Sequence, residues 1–215
     1  MLVSPGAAGG TLAVVVATTN QPGNRQPAPA PLDLVQSFVN SWDREGGVEA
    51  FSSPSALAAW LRRHDLLARG GRLAARDVRE AIELREAIRA LLLEHNGEPA
   101  SVEARATFSS FADKAVLAPH LDRDGGVVLA PARDGVSAVW ARILAAIAQA
   151  SIEGSWPRLK ACRSDVCQWA FYDHSKNRSS HWCTMEICGS RDKMRRYRQR
   201  VQPSTRRRNK GTVVC

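Results

Sequence analysis

The sequence has 215 residues, 44% of them hydrophobic and 24% charged, with a formal net charge of +9, which predicts one globular domain plus a small appendage. No run approaches the roughly 18 apolar residues of a membrane span, and the short apolar stretch 12–17 lacks the preceding basic residues of a secretory signal. These exclusions predict a cytoplasmic protein without a membrane partner, in a reducing environment where cysteines serve metal or redox chemistry more often than disulfides.

The first part of the chain divides into a leader and a helical domain. Residues 1–30 are predicted to be a disordered leader, because Gly, Ala, Pro, Asn and Gln dominate them. Residues 31–153 are predicted to be multihelical. A first helix begins at Leu32, and Ser53 followed by proline is a cap that opens a second helix.

Further elements complete the predicted helical domain. A longer helix runs from about Ala75 to Asn96, where Gly97 stops it. Another candidate helix carries the apolar residues of 108–116. The segment 121–129 is predicted to be a hairpin, because Asp-Gly supplies a tight turn between short strands. A final helix spans about Val136–Ile152.

One polar residue of the helical domain has apolar and aromatic neighbours. Asn40 is flanked by Phe38 and Trp42, and we expect these three side chains to line a surface that binds a small molecule. The sequence has no glycine-rich phosphate loop, no Gly-x-Ser-x-Gly elbow and no His-Glu-x-x-His helix. Its scattered histidines are more simply surface or capping residues. We therefore expect no enzymatic activity.

Four of the five cysteines fall within 27 residues, at Cys162, Cys167, Cys183 and Cys188. Each close pair can deliver two thiolates from one tight turn, and the intervening loop can bring the two turns together around a tetrahedral ion. The spacing between the pairs matches that of paired-cysteine zinc sites. A small module also needs metal to supply the folding free energy that its core lacks. We predict one structural Zn²⁺ per chain, in a closed site without an activated water.

Two alternatives stay open for these cysteines. They could form disulfides within the pairs 162–167 and 183–188, although the absence of a secretory signal argues against this pairing. His174 or His181 could replace one cysteine around the metal, although four cysteines already complete the coordination.

The finger is predicted to span residues 156–201 and to end in a basic helix. Ser190 can cap this helix, which runs to about Val201. Met194, Tyr197 and Val201 form a narrow apolar stripe that can pack on the zinc turns. The basic side chains then point elsewhere and, together with one arginine before the helix, are the predicted nucleic-acid contacts: Arg178, Arg191, Lys193, Arg195, Arg196, Arg198 and Arg200.

The excess positive charge is confined to the C-terminal segment. Residues 156–215 hold 15 basic and 4 acidic residues, whereas the 155 residues before them hold 15 basic and 17 acidic. Residues 202–215 are predicted to be a disordered basic tail. Such segregation beside a metal module favours a nucleic-acid surface over a merely solvated face. The finger's aromatic residues could stack on unpaired bases, which would indicate RNA, but are more simply its small core: Trp169, Phe171, Tyr172 and Trp182.

Three segments resemble the CGNR-type zinc finger: Arg158-Leu-Lys-Ala-Cys162, Phe171-Tyr-Asp-His-Ser-Lys-Asn-Arg178 and Trp182-Cys-Thr-Met-Glu-Ile-Cys-Gly-Ser-Arg191. The helical half is similar, by shorter phrases at 32–42, 59–61 and 84–89, to the ABATE domain that precedes this finger. Together the two resemblances cover about residues 31–200. They imply a bacterial, stress-related transcription regulator in which the four cysteines named above are the metal ligands.

The sequence departs from the family at two positions. The signature Cys-Gly-Asn-Arg stands here as Cys188-Gly-Ser-Arg191. Serine caps a helix about as well as asparagine, so the turn should persist, although any direct contact by the asparagine amide is lost. His181 stands where the family often has a basic residue, which weakens the case for a contact there.

The sequence therefore predicts a mainly α protein: a multihelical N-terminal domain with a small β-hairpin, then a small zinc-bound module ending in a basic helix. The favoured function is a DNA-binding transcription regulator whose helical domain senses a small-molecule effector or pairs two protomers as a homodimer. The alternative is a small-molecule-binding or enzymatic helical domain whose zinc module is purely structural or contacts protein.

Overall fold

The computed structural model describes residues 21–68 and 70–201. Within these ranges the chain forms six α-helices and three antiparallel two-stranded hairpins, so the predicted mainly α fold is confirmed. The helices are α1 (Leu32–Val39), α2 (Pro54–Arg63), α3 (Ala75–His95), α4 (Val102–Ala112), α5 (Val136–Ile152) and α6 (Ser190–Val201). The hairpins are β1 (Trp42–Asp43) with β2 (Val48–Glu49), β3 (Leu117–Leu121) with β4 (Val127–Pro131), and β5 (Leu159–Ala161) with β6 (Ala170–Tyr172).

Local sequence signals set the ends of the helices. The Ser53 hydroxyl accepts a hydrogen bond from the Ala56 amide at 3.1 Å, and Pro54 opens α2. After α3, Asn96 is the cap residue and Gly97 has a φ of +88°, a left-handed conformation that glycine adopts without strain. The observed bounds of α3 and α5 therefore lie within one residue of the predicted bounds. None of the described helices has the length and apolar character needed to cross a membrane.

Aromatic rings meet in the core of the helical domain. The ring centroid of Phe38, on α1, lies 5.6 Å from that of Phe51, 5.9 Å from Trp60 and 6.3 Å from Trp140. Phe51 and Trp60 meet edge to face at 5.4 Å. All four side chains are buried. Aromatic pairs of this kind contribute about 0.5–1.5 kcal/mol each beyond area burial, so they fix α1 and α2 against α5.

The region between α4 and α5 differs from its prediction. α4 ends at Ala112, whereas the predicted helix continued to Val116. The chain leaves the helix through two tight turns, and β3 begins at Leu117. The hairpin predicted at 121–129 is present but longer, because β3 and β4 pair over five residues each.

The C-terminal module shares the core of the helical domain. Leu159 and Ala161 of β5 and Ala170 and Tyr172 of β6 are buried in the same cluster as the inward residues of the helices. The cysteines form a second, smaller cluster with Phe171. The stability of the module is therefore coupled to that of the helices, which the sequence did not indicate.

Two buried arginines of α3 hold this helix in place, and one of them reaches the module. Arg85 and Arg89 are 1% and 2% exposed. Arg85 donates through both terminal nitrogens to the Glu49 carboxylate at 2.7 Å. Arg89 donates to the carbonyl oxygens of Val39 at 2.7 Å and Gln168 at 2.8 Å. Because these donors have partners, the buried charges tie α3 to α1 and to the module without leaving unpaired groups.

Residues 21–28, here called the N-terminal strap, correct the predicted disordered leader. Ala28 is buried in the main core and Gln21 is also buried. The Gln36 side chain on α1 joins them: its Oε1 accepts from the Ala28 amide at 2.8 Å, and its Nε2 donates to Gln21 Oε1 at 3.1 Å. The strap is therefore packed, whereas residues 1–20 and the predicted tail lie outside the described residues.

Candidate functional site

The four predicted cysteine ligands converge. Their sulfur atoms all lie within 4.8 Å of one another, with 3.7 Å between Cys167 and Cys183 and 3.5 Å between Cys183 and Cys188. A tetrahedral zinc site with metal–sulfur bonds of about 2.3 Å has sulfur–sulfur edges of about 3.8 Å. All four cysteines are buried, free thiols. Their sulfur–sulfur distances are far longer than the roughly 2.05 Å of a disulfide bond. The geometry fits a tetrahedral metal ion and does not fit the disulfide alternative.

The β5–β6 hairpin positions the first cysteine pair. Cys162 directly follows β5, and its amide donates to the Trp169 carbonyl at 3.0 Å. The amide of Cys167 donates to the Ser164 carbonyl at 2.9 Å and closes the turn between the two cysteines. Gln168 then has a φ of +47°, which returns the chain into β6. The two short strands thus set the separation of the first two sulfurs.

A π-helical turn positions the second pair. Cys183 precedes this turn (Met185–Gly189), and Cys188 lies in it. The Thr184 hydroxyl caps the turn by accepting an amide hydrogen bond at 3.1 Å. A Cβ atom at Gly189 would lie 2.7 Å from the Met185 sulfur. The same Cβ atom would lie 3.2 Å from Cδ1 of Trp182, so Gly189 lets this turn pack closely on the Met185 and Trp182 side chains.

Backbone hydrogen bonds onto the first two cysteine sulfurs favour their thiolate forms. The backbone amides of Ser164 and Cys183 donate to the Cys162 sulfur, and the amide of Trp169 donates to the Cys167 sulfur. Hydrogen bonds from the thiols of Cys167 and Cys183 lower the pKa of Cys162 and raise the pKa of both donors. Four sulfurs this close can all ionise only around a cation. The donor set suits zinc, which binds thiolate tetrahedrally.

The two histidines weighed as alternative ligands have other partners. His181 Nδ1 lies 2.8 Å from Asn96 Oδ1, and His174 Nε2 lies 3.2 Å from the Pro27 carbonyl oxygen. Among the described residues, the cluster of possible metal ligands contains the four cysteines and neither histidine. Of the finger's predicted aromatic core, Phe171 is fully buried and Trp169 and Trp182 pack against the cysteines, whereas Tyr172 is buried in the core of the helical domain.

The basic helix α6 continues directly from the second cysteine turn. Its start differs from the prediction, because α6 directly follows the π-helical turn, whose N-cap is Thr184. The Ser190 hydroxyl instead donates to the Met185 carbonyl at 3.0 Å. α6 reaches Val201, the predicted end. The structure leaves every predicted nucleic-acid contact exposed, one in the loop after β6 and six on α6: Arg178, Arg191, Lys193, Arg195, Arg196, Arg198 and Arg200.

Three of these arginines pair with acidic groups. Arg195 and Arg196 lie 2.7 and 2.8 Å from the Asp192 carboxylate. Arg191 pairs with Glu45, in the β1–β2 turn of the helical domain. The remaining basic side chains of α6 have no ion-pair partner in the described part of the chain: Lys193, Arg198 and Arg200.

The apolar stripe of α6 corrects a further prediction. Met194, Tyr197 and Val201 were expected to pack on the zinc turns, but they are 51%, 61% and 56% exposed. The reason is that α6 is fastened only at its start, where Asp192 is its one buried side chain among the described residues. Beyond that first turn the helix projects away from the module.

The predicted small-molecule surface is a buried joint instead. Asn40 Oδ1 accepts from the Ala170 amide at 2.7 Å, and its Nδ2 donates to the Ala170 carbonyl at 2.9 Å. Phe38 is fully buried in the core. The Trp42 ring is covered by guanidinium groups, with those of Arg44 and Arg85 at 4.9 and 5.4 Å from its centroid. Asn40 therefore serves the junction between helices and module, and Phe38 serves the core of the helical domain, roles that the sequence pattern did not indicate.

The helical domain has an open groove away from these residues. It has a volume of about 930 Å³ and is lined from the end of α2, the following loop and the start of α5. Arg62, Arg63 and Arg142 line it together with Asp65 and Asp134. Nothing in the sequence pattern singled out this surface.

Comparison with protein families assigns both halves of the chain. Residues 29–153 match the ABATE family, described as "Putative stress-induced transcription regulator". Residues 158–201 match the CGNR zinc finger. A comparison with curated proteins found no match. Because the first match alone spans more than half of the sequence, the chain belongs to the ABATE family, and its ABATE domain is followed by a CGNR zinc finger.

Proposed function

We propose that this protein is a DNA-binding transcription regulator in which Cys162, Cys167, Cys183 and Cys188 hold one structural zinc ion and α6 carries the DNA contacts. The observation that carries the proposal is the exposure of all six basic side chains of α6 on a helix that projects from the cysteine cluster. The regulator description of the ABATE family and the zinc-finger match agree with it.

The zinc part of the proposal is supported by the ligand geometry. When bound, zinc would link the β5–β6 turn to the π-helical turn and supply folding free energy. Four buried sulfurs at nearly tetrahedral spacing leave no position for a reactive water. We therefore propose a structural site and no enzymatic activity, in a cytoplasm whose reducing conditions keep the thiols free.

The DNA part is supported by the charge and shape of α6. An isolated helix of this width fits the major groove, and arginine can contact both phosphates and guanine edges. Lys193, Arg198 and Arg200, which have no acidic partner among the described residues, are the proposed phosphate contacts. Arg191, Arg195 and Arg196 would exchange an acidic partner for DNA, and Arg178 would contact the backbone from the neighbouring loop.

The helical domain is proposed to sense an effector or to pair two protomers. Its contacts with the module support a coupling role, because Asn40 bonds to Ala170 and Arg89 to Gln168, both in the hairpin that holds the first cysteines. The groove at the end of α2 is the proposed place for an effector, in place of the residues around Asn40.

Fluorescence anisotropy of labelled DNA duplexes tests the proposed function. Zinc-loaded protein should bind duplex DNA at low salt, and the triple variant Lys193→Ala/Arg198→Ala/Arg200→Ala should bind much more weakly. A matched control removes the same charge from exposed positions of the helical domain, as Arg72→Ala/Arg79→Ala/Arg123→Ala. This control should bind nearly as tightly as wild type, because its arginines lie outside the module.

Two results would contradict the proposal. Equal losses for both triple variants would mean that overall charge, and not α6, attracts DNA. No binding of the zinc-loaded protein to any duplex at low salt would favour the alternative, in which the helical domain binds a small molecule and the zinc module is structural or contacts protein.

A further inference from the structure

A charged side chain from outside both family-matched ranges lies against the cysteine cluster. Arg25, in the N-terminal strap, precedes residue 29, where the first match begins. Its Nη1 donates to the carbonyl oxygens of Trp182 at 2.9 Å and Cys183 at 2.8 Å, and its Nε donates to that of Tyr172 at 3.3 Å. The guanidinium carbon lies 4.4 Å from the centroid of the Phe171 ring.

These contacts hold the backbone that aims the second cysteine pair. The carbonyls of Trp182 and Cys183 belong to the two peptide units on either side of the Cys183 Cα atom, which carries the sulfur-bearing side chain. The Arg25 guanidinium is planar and rigid, and it bonds to these two carbonyls and to that of Tyr172 in β6. It therefore restrains the Cys183 sulfur relative to β6. Groups that orient ligands in this way control metal affinity although they do not touch the metal.

The charge of Arg25 also suits its position. Four thiolates around a divalent ion leave net negative charge in a buried cluster, which is costly unless a cation lies nearby. Burial lowers the pKa of Arg25, whereas Asp173 and the sulfurs of Cys183 and Cys162 act in the opposite direction. Because the pKa of an arginine is normally far above neutral pH, Arg25 stays charged beside the sulfurs.

Other contacts fix the strap along the module. Gln21 Oε1 accepts from the indole nitrogen of Trp169 at 3.0 Å. Gly23 has a φ of +66°, and a Cβ atom there would lie 2.8 Å from Cγ2 of Thr184, the residue that caps the second cysteine turn. The strap thus touches both cysteine turns, and only a glycine fits at the closest point.

We propose that Arg25 is a positioning residue of the metal site and that the N-terminal strap is part of the zinc module. Arg25 fixes the peptide carbonyls around Cys183 and offsets the charge of the thiolates. This inference rests on the proposed zinc site and is independent of DNA binding. It extends the module beyond the matched residues 158–201.

Zinc release from the full-length, zinc-loaded protein tests the inference. The released metal is followed with a chelating dye, at a temperature where circular dichroism shows the helices intact. Arg25→Ala should lower zinc affinity by about 10–100-fold, the usual effect of losing such a supporting group. Arg25→Lys should recover only part of it, because lysine restores the charge without the planar fork. Arg105→Ala, at a surface pair with Glu94, is the matched control and should release zinc like wild type.

A second variant and a spectroscopic readout guard against simple misfolding. Gly23→Ala leaves Arg25 in the sequence but displaces the strap, so it should also speed zinc release. In cobalt-loaded protein, Arg25→Ala should shift the sulfur-to-cobalt charge-transfer band, and Arg105→Ala should not. If wild type binds zinc and both Arg25→Ala and Gly23→Ala release it at the wild-type rate, the inference is wrong but the zinc site stands. Wild type that holds no zinc would overturn the zinc site and the inference together.

Discussion

Asn40 and Ala170 are joined by two hydrogen bonds, at 2.7 Å from the Ala170 amide to Oδ1 and at 2.9 Å from Nδ2 to the Ala170 carbonyl. Asn40 follows α1, and Ala170 begins β6, so this pair connects the helical domain to the hairpin that holds the first cysteines. Both residues are buried. The asparagine side chain pairs the Ala170 amide and shares the Ala170 carbonyl with Gln36 Nε2, which also donates to it at 3.1 Å.

Replacing this amide should destabilise the whole protein. Asn40→Ala leaves the Ala170 amide buried without its partner, at a cost of about 1–3 kcal/mol, while the Ala170 carbonyl keeps the hydrogen bond from Gln36. The free energy of unfolding, from urea titration followed by circular dichroism, measures the loss. Gln149→Ala removes an amide from an exposed position of α5 and is the control. An effect of Asn40→Ala no larger than that of the control would show that the joint is unimportant.

Loss of one cysteine should affect both halves of the chain. Cys183→Ser should abolish zinc binding and, because β5 and β6 share the helical core, should also lower the unfolding temperature of the helices. Elemental analysis and calorimetry measure the two effects. Cys215→Ser, which changes a cysteine outside the described residues, should keep both at wild-type values. Retained zinc in Cys183→Ser, or an unaltered helical transition, would contradict this coupling.

The helices and the cysteine cluster could be predicted because their signals are local. Ser53 before proline, and Gly97 after a periodic apolar run, fix helix ends through backbone geometry. The paired spacing of the cysteines predicts two turns, and the four sulfurs of these turns lie close together in the structure. Such signals depend on neighbours within a few positions, so one sequence is enough to read them.

The junction could not be predicted because its partners are distant in the chain. Arg25 stands in a proline-rich stretch with little apolar surface of its own, and its partners lie in the module. Arg85 and Arg89 flank the apolar stripe of α3, where charged residues usually face solvent. Only the tertiary fold supplies the acceptors that make their burial stable. The segment 84–89, which contains both arginines and resembles the ABATE domain, was the one signal in the sequence that these positions matter.

The pair between Glu45 and Arg191 should compete with DNA for the same guanidinium. Glu45→Gln should therefore tighten binding to duplex DNA only modestly, by up to about fivefold, since an exposed ion pair is weak. Anisotropy titration at low salt measures the change. Glu83→Gln removes the same charge from an exposed position of α3 and should have a smaller effect. Weaker binding by Glu45→Gln would show that the pair supports the bound state.

His95 should make stability depend on pH. Its Nδ1 lies 2.8 Å from the Leu159 carbonyl, and burial lowers its pKa below the usual 6.5, although the carbonyl acts in the opposite direction. The unfolded chain therefore takes up the proton first, so this contribution is complete above pH 6.5 and is lost as the pH falls through the folded pKa. His95→Gln should show a weaker fall of unfolding free energy with acidification, and His120→Gln, at an exposed position, should follow wild type. Parallel pH profiles for all three proteins would exclude this role.

The salt dependence of duplex binding tests the central claim, that the basic side chains of α6 contact DNA phosphates. The logarithm of the association constant should fall linearly with the logarithm of salt concentration, with a slope of about −0.9 for each phosphate neutralised. Lys193→Ala/Arg198→Ala/Arg200→Ala should make that slope shallower by about 2.7, the contribution of three phosphates, while Arg72→Ala/Arg79→Ala/Arg123→Ala keeps the wild-type slope. A slope near zero for wild type, or parallel slopes for wild type and the α6 variant, would contradict the claim.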